Sequence, residues 1–301
     1  MRRTPVLPAA SLLAAGALFG ISGVIAKWLS SSLSAFQVIF WRFAIAFLAV
    51  LIIAAVTHTR FSVTTLPRAP TVAFALSFPA AVVLFTLSVF HGSVASAVFS
   101  FYIALLVSSA GLGRLFFDER LTLFKSLALV TSLAAAAVLT RPWGHFPFSL
   151  AVIYGLASGV VQAIASIFQK KLAPYAGRFT LLALQTLAGT MFAGLLLMFA
   201  HRSPLASLGQ ISPSRFFVLA IYGLILLAIT QLFLIGFTRV ALNVAGVLLS
   251  SELFFGPLFA SLLLGEPFTP PLILAGSLAV VAAVLAHLPT PGQRTSSLRH
   301  P

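Results

Sequence analysis

Ten apolar stretches follow one another through the chain, at 6–26, 33–56, 70–90, 94–116 and 121–139, then at 148–168, 179–200, 216–237, 241–263 and 270–287. Each comes near the roughly 20 residues that a helix needs to cross the hydrocarbon of a bilayer. Continuous apolarity of that length predicts helices, because a membrane barrel would show short alternating strands between many turns. A helix also pairs its own backbone donors and acceptors, as lipid demands. Only 7% of the residues are charged and 60% are hydrophobic, too little polar surface for a water-soluble fold. The connections are too short to hold a sizeable soluble domain.

The charges follow the segmentation. If both termini lie in the cytoplasm, Arg2, Arg3, Arg60, Arg68, Arg114, Arg120, Lys125, Lys170, Lys171, Arg178, Arg239, Arg294 and Arg299 fall on that side, and only Lys27, Arg141, Arg202 and Arg215 on the other. Thirteen against four is the excess that orients short cytoplasmic loops. It predicts an even number of crossings. On a soluble chain a net charge of +14 would suggest nucleic acid or a membrane surface as partner, but bases scattered singly between apolar stretches read as topological. The expected partners are the lipid bilayer and a small-molecule substrate, with no nucleic acid. Met1-Arg2-Arg3 ahead of the first apolar run has a signal-like layout without a convincing cleavage site, so it reads as an uncleaved first span. Without cysteine there is no disulfide, thiolate ligand or thiol nucleophile.

A faint internal repeat organises the spans. Asp118-Glu119-Arg120-Leu121-Thr122 opens the fifth and Gly265-Glu266-Pro267-Phe268-Thr269 opens the tenth, and the same offset pairs Leu127 with Leu274, Ala128 with Ala275, Ala135 with Ala282 and Ala136 with Ala283. A unit of five spans is odd, so its second copy enters the membrane from the other side. The predicted fold is an all-α polytopic membrane protein with ten transmembrane helices in two inverted five-helix repeats. The first repeat takes 1–140, the second 141–290, and 291–301 forms a cytoplasmic tail. Inverted repeats supply two related conformations by exchanging the arrangements of equivalent units.

With these features the chain resembles the drug/metabolite transporter superfamily, and within it the ten-span permeases built from two EamA-type domains. The resemblance rests on Gly20 and Lys27, on Phe40-Trp41-Arg42, and on Leu262-Leu263-Leu264-Gly265-Glu266 with its counterpart Leu115-Phe116-Phe117-Asp118-Glu119-Arg120. Asp118 stands where the family usually shows glycine, and Leu253 follows Glu252 where the family usually shows proline. The resemblance implies a secondary carrier for amino acids, nucleosides, drugs or other small metabolites, often an exporter, in the cell inner membrane.

Among the polar residues, Arg42 lies about ten positions into a span, a depth that costs about 3 kcal/mol on insertion scales. It reads either as a substrate or gating group or as a structural or snorkelling one. In the first role its fork of donors suits a carboxylate. Glu252 is the one acid central in a span, and reads either as a proton-coupling group or as a hydrogen-bonded lock between helices. Its approach to Arg42 would make a gate. Glu119 and Glu266 precede helices and read as caps. Gln37, Gln162, Gln169, Gln185, Gln231 and Asn243 supply paired donors and acceptors for a central pathway or for helix packing, Trp41 offers a flat face beside Arg42, and Ser251 adjoins Glu252. Gly16 with Gly20, and Gly155 with Gly159, form GxxxG pairs for close helix approach or sliding. Pro79 and Pro257 are expected to kink or interrupt the third and ninth spans.

No HExxH, phosphate loop, GxSxG elbow or carboxylate cluster occurs, so no enzyme, cofactor, metal site or ATP-driven pump is expected. Energy then comes from an ion gradient, with protons or another ion as the coupling species, or from the substrate gradient. The expected function is a secondary transporter exporting amino acids or related small metabolites by alternating access. A drug or nucleoside exporter is the alternative, and a non-transporting scaffold a further one.

Overall fold

The computed structural model describes residues 6–59, 61, 66–117, 122–140, 149–200, 212–237, 240, 242–265 and 270–287. Asp118, Glu119, Glu266 and Pro267 lie outside them, so the expected caps do as well. The described secondary structure is helical: α1 (Val6–Leu29), α2 (Ala35–Val56), α3 (Arg68–His91), α4 (Val94–Phe117), α5 (Leu123–Thr140), α6 (Leu150–Leu172), α7 (Arg178–Phe199), α8 (Pro213–Phe237), α9 (Leu242–Leu249), α10 (Glu252–Leu264) and α11 (Pro270–His287). Eight helical stretches are long and apolar enough to cross a membrane, one of them running through α9 into α10, and α5 and α11 carry the shorter apolar stretches Leu123–Ala135 and Ile273–Ala282. Leu48, Ile52, Leu76, Val107, Met191, Leu195 and Leu262 lie exposed on the helices, the apolar outer surface that lipid requires.

Helix packing carries the repeat. Taking α6, α7, α8, the pair α9–α10, and α11 as second copies of α1 to α5, each major contact has a partner under the exchange. Helix α3 lies on α6 as α1 lies on α8, α4 lies on α6 as α1 lies on α9 and α10, and α3 meets α7 as α2 meets α8. The contacts of α2 with α7 and of α5 with α11 map onto themselves. Two inverted five-span repeats with the ninth span in two pieces are therefore the architecture. One apolar cluster gathers buried residues of α1, α4, α8 and α9, and a second those of α2, α3 and α7.

Small residues set the closest approaches, at corresponding places in both repeats. A Cβ on Gly20 would stand 2.7 Å from the Gly256 amide nitrogen and 2.8 Å from the Phe255 carbonyl carbon, and one on Gly16 would strike the Ser251 hydroxyl. A Cβ on Gly159 would strike the Phe101 carbonyl oxygen and stand 2.7 Å from the Leu105 nitrogen, and one on Gly155 would strike Ser100. So α1 presses its bare edge into α10 and α6 presses its own into α4. Serines fasten the α3–α6 seam: Ser88 donates to the Ala151 carbonyl at 2.6 Å and Ser158 to the Ala81 carbonyl at 2.7 Å.

The interruption of the ninth span falls ahead of its proline, not on it. Helix α3 continues through Pro79. The ninth span is interrupted at Ser250–Ser251, ahead of Pro257, which sits inside α10. Here the backbone tightens to i to i+3 bonds, with the Leu253 nitrogen reaching the Ser250 oxygen at 2.9 Å, while the Ser250 hydroxyl takes the Val247 carbonyl at 2.6 Å. Serine hydroxyls compete with helical partners in this way. The Leu249 carbonyl therefore loses its usual donor, the Leu253 amide, and is free to accept from a side chain.

Candidate functional site

Arg42 sits about 10 Å in from the start of α2 at 1.5 Å per residue, only 3% exposed. Its Nη1 donates to the Tyr222 hydroxyl of α8 at 3.0 Å and its Nη2 to the Ser22 hydroxyl of α1 at 2.8 Å. The guanidinium carbon also stands 4.1 Å from the Tyr222 ring centroid, within reach of a cation–π attraction. Two hydrogen bonds from a charged donor, at about 1.5 to 3 kcal/mol each, offset an insertion cost of about 3 kcal/mol. They fix the group without neutralising it. Nε is buried with no partner, and Glu252, the only acid among the described residues, makes its hydrogen bond elsewhere.

Glu252 is the first residue of α10, completely buried and just past the break in the ninth span. Its Oε2 lies 2.8 Å from the Tyr102 hydroxyl of α4, which also lies 2.7 Å from the freed Leu249 carbonyl oxygen. Oε1 is buried without a partner. Arg42 and Glu252 lie within electrostatic reach of each other but form no ion pair. The direct approach that would make them a gate is not made in this conformation.

A cavity opens beside Tyr102, lined by Phe19 of α1, Phe101, Tyr102, Leu105 and Ser109 of α4, Gln162 and Ser166 of α6, Phe233 of α8, and Leu249 of α9. Its open part admits about one water molecule. Four aromatic rings give it flat apolar walls, and the Gln162 amide nitrogen, buried and unpartnered, gives it a polar donor.

The remaining candidates fall in different places. Of the glutamines, Gln162 alone reaches the cavity wall. Gln37 closes a capping box at the start of α2, accepting at Oε1 from the Ser34 amide at 3.0 Å. The Ser34-x-x-Gln37 spacing signals that cap in the sequence. Gln185 of α7 donates to the Thr230 hydroxyl of α8 at 3.0 Å while its Oε1 stays unpartnered. Trp41 packs against the larger apolar cluster, its indole nitrogen buried without a partner. Gln231 is half-buried on α8. Ser251 holds the break, its hydroxyl 3.5 Å from the Leu13 carbonyl. Asn243 belongs to α9, but its side chain lies outside the described residues. Sequence reasoning passed over Ser22, Tyr102 and Tyr222. A tyrosine inside an apolar span is the available signal, since a buried hydroxyl needs a partner.

Comparison with known proteins agrees with this architecture. A solved crystal structure is similar over 93% of this chain and 95% of that chain, with a TM-score of 0.74 at 17% sequence identity, which speaks for the fold alone. No curated protein matches the chain. The sequence profile of the EamA-like transporter family matches twice, over residues 7–141 and 149–288. Nearly the whole length is thereby accounted for as two copies of one unit, and the chain belongs to the EamA-like transporter family, membrane transporters of small molecules.

Proposed function

We propose that the chain is a secondary transporter that exports amino acids or related small metabolites by alternating access, with Arg42 as the fixed positive charge for a substrate carboxylate. The observation that carries this reading is a guanidinium buried within a span, held by Ser22 and Tyr222 and forming no ion pair with the one described acid, Glu252. A planar fork with a free Nε–H matches a carboxylate. Its partners come from α1 and α8, one helix of each repeat, so binding there responds to their relative movement. The charge asymmetry supports an inner-membrane location with both termini in the cytoplasm. Either an ion gradient or the substrate gradient drives the cycle.

The aromatic walls around Gln162 favour a second reading, a flat neutral ligand such as a drug or nucleoside. Purified protein in vesicles, preloaded with unlabelled compound and challenged with labelled amino acids, nucleosides or dyes, separates the two. Saturable counterflow of amino acids that Arg42→Met abolishes supports the first. Counterflow confined to nucleosides or dyes, and indifferent to Arg42→Met, supports the second and removes the first. No counterflow of any compound in correctly oriented vesicles removes both.

A further inference from the structure

The Tyr102 hydroxyl makes two short oxygen–oxygen contacts, 2.7 Å to the Leu249 carbonyl and 2.8 Å to Glu252 Oε2. Both are full-strength lengths for O–H···O bonds, so each needs its own hydrogen. Tyrosine has one, and a carbonyl has none to give. Both contacts are satisfied in full when the second hydrogen sits on Glu252, whose carboxylic acid then donates to the Tyr102 oxygen while Tyr102 donates to the Leu249 carbonyl. That carbonyl needs this donor because the break at Ser250–Ser251 takes away its helical one. The other ionisable group facing Glu252 is Arg42, close enough to act through its field but not in contact. On α1 the ionisable side chain, Lys27, is committed to the Gly92 carbonyl at 2.7 Å. The described side chains of α9 and α11 include no ionisable one.

We propose that Glu252 is the proton-binding site of the transport cycle, and that its proton closes a latch of Glu252, Tyr102 and Leu249 on the wall of the cavity between the two repeats. Two of the three latch residues, Tyr102 and Leu249, are cavity walls. With the proton present they are tied together, and the cavity has no room for substrate. When Glu252 releases its proton to cavity water, the Tyr102 hydrogen turns to the carboxylate and the Leu249 carbonyl loses its donor. The tie between α4 and α9 is broken, and the two walls can part. Proton and substrate thus occupy the protein in turn, which makes the carrier an antiporter. The consequence for transport rests on the carrier reading above; the proton itself rests on the hydrogen count.

Two measurements keep these apart. Infrared spectra of purified protein at neutral pH are expected to show one carboxylic-acid C=O band that Glu252→Gln removes and Tyr102→Phe shifts. A band unchanged in both variants, or no such band in the unaltered chain, overturns the proton site whatever the flux assays give. In vesicles with labelled leucine and phenylalanine, an inward proton gradient is expected to drive outward accumulation by the unaltered chain. Tyr102→Phe, with its latch open, loses the gradient drive, read as accumulation relative to that variant's own counterflow; Glu252→Gln, a permanent mimic of the acid, loses both drive and counterflow. Gradient drive retained in Tyr102→Phe overturns the latch. Where the unaltered chain gives no counterflow of these or the other panel compounds, the carrier reading fails and the infrared bands still decide the proton site.

Discussion

Replacing Gly20 by alanine adds one methyl group where the backbones of α1 and α10 press together. That carbon would meet the Gly256 nitrogen at 2.7 Å, the Phe255 carbonyl carbon at 2.8 Å and the Phe255 Cβ at 3.0 Å. Two of these are backbone atoms, which no rotamer change moves aside, so α1 and α10 must separate by several tenths of an ångström. Overpacking of this kind costs about 1 to 3 kcal/mol, roughly a five- to 150-fold loss in the ratio of folded to unfolded protein. Helix propensity acts the other way, by up to about 1 kcal/mol for glycine to alanine, and Gly111→Ala isolates it, since nothing lies within 4 Å of a Cβ there. Gly159→Ala repeats the perturbation in the second repeat, against Phe101 and Leu105. Thermal unfolding in detergent should rank Gly111→Ala at or above the unaltered chain, with Gly20→Ala and Gly159→Ala both well below it. If Gly20→Ala and Gly111→Ala unfold together, the reasoning from close backbone contact is wrong.

Arg42→Lys keeps the charge but cannot reach Ser22 and Tyr222 with a planar fork, so we expect a loss of about 1.5 to 3 kcal/mol for one charged hydrogen bond and at least a tenfold rise in KM for carboxylate substrates in vesicle uptake. Lys27→Met removes the ammonium from the Gly92 carbonyl at the end of α3 and should cost about 1 kcal/mol, the scale of a cation at a helix C-terminus, read as a lower unfolding temperature with KM unchanged. Gln185→Leu breaks the bond to Thr230 and should cost about 0.6 to 2 kcal/mol, as such bonds do between membrane helices, with transport kept. Gln162→Leu should do the reverse: its amide nitrogen is unpartnered, so the unfolding temperature should hold while substrate KM rises.

The membrane spans and their doubling were legible because lipid imposes a length on every crossing and an odd unit must invert. Arg42 and Glu252 stood out for the same reason, as charges where charges are expensive. Their partners were not legible. Ser22, Tyr102 and Tyr222 meet them only through the packing of α1, α4 and α8, which no spacing along the chain encodes. Gln37 shows a local signal left unread, since a serine three positions ahead already marks a capping box. The break falls at Ser250–Ser251 and not at the proline, whose missing backbone donor is visible in sequence; Ser250 bonding the Val247 carbonyl and Ser251 set against Leu13 and the bare edge of Gly16 are visible only in three dimensions.

The chain has no cysteine of its own, so single thiols report access without background. Ser22→Cys stands at the Arg42 cluster and Ser109→Cys on the cavity wall, and each is probed in turn with an impermeant maleimide from either face of sealed vesicles. Alternating access predicts opposite responses: a pH or substrate condition that opens one thiol to its face closes the other to the opposite face. Both thiols opening together, or neither responding to any condition that supports flux, would contradict two repeats that exchange arrangements around an occluded centre.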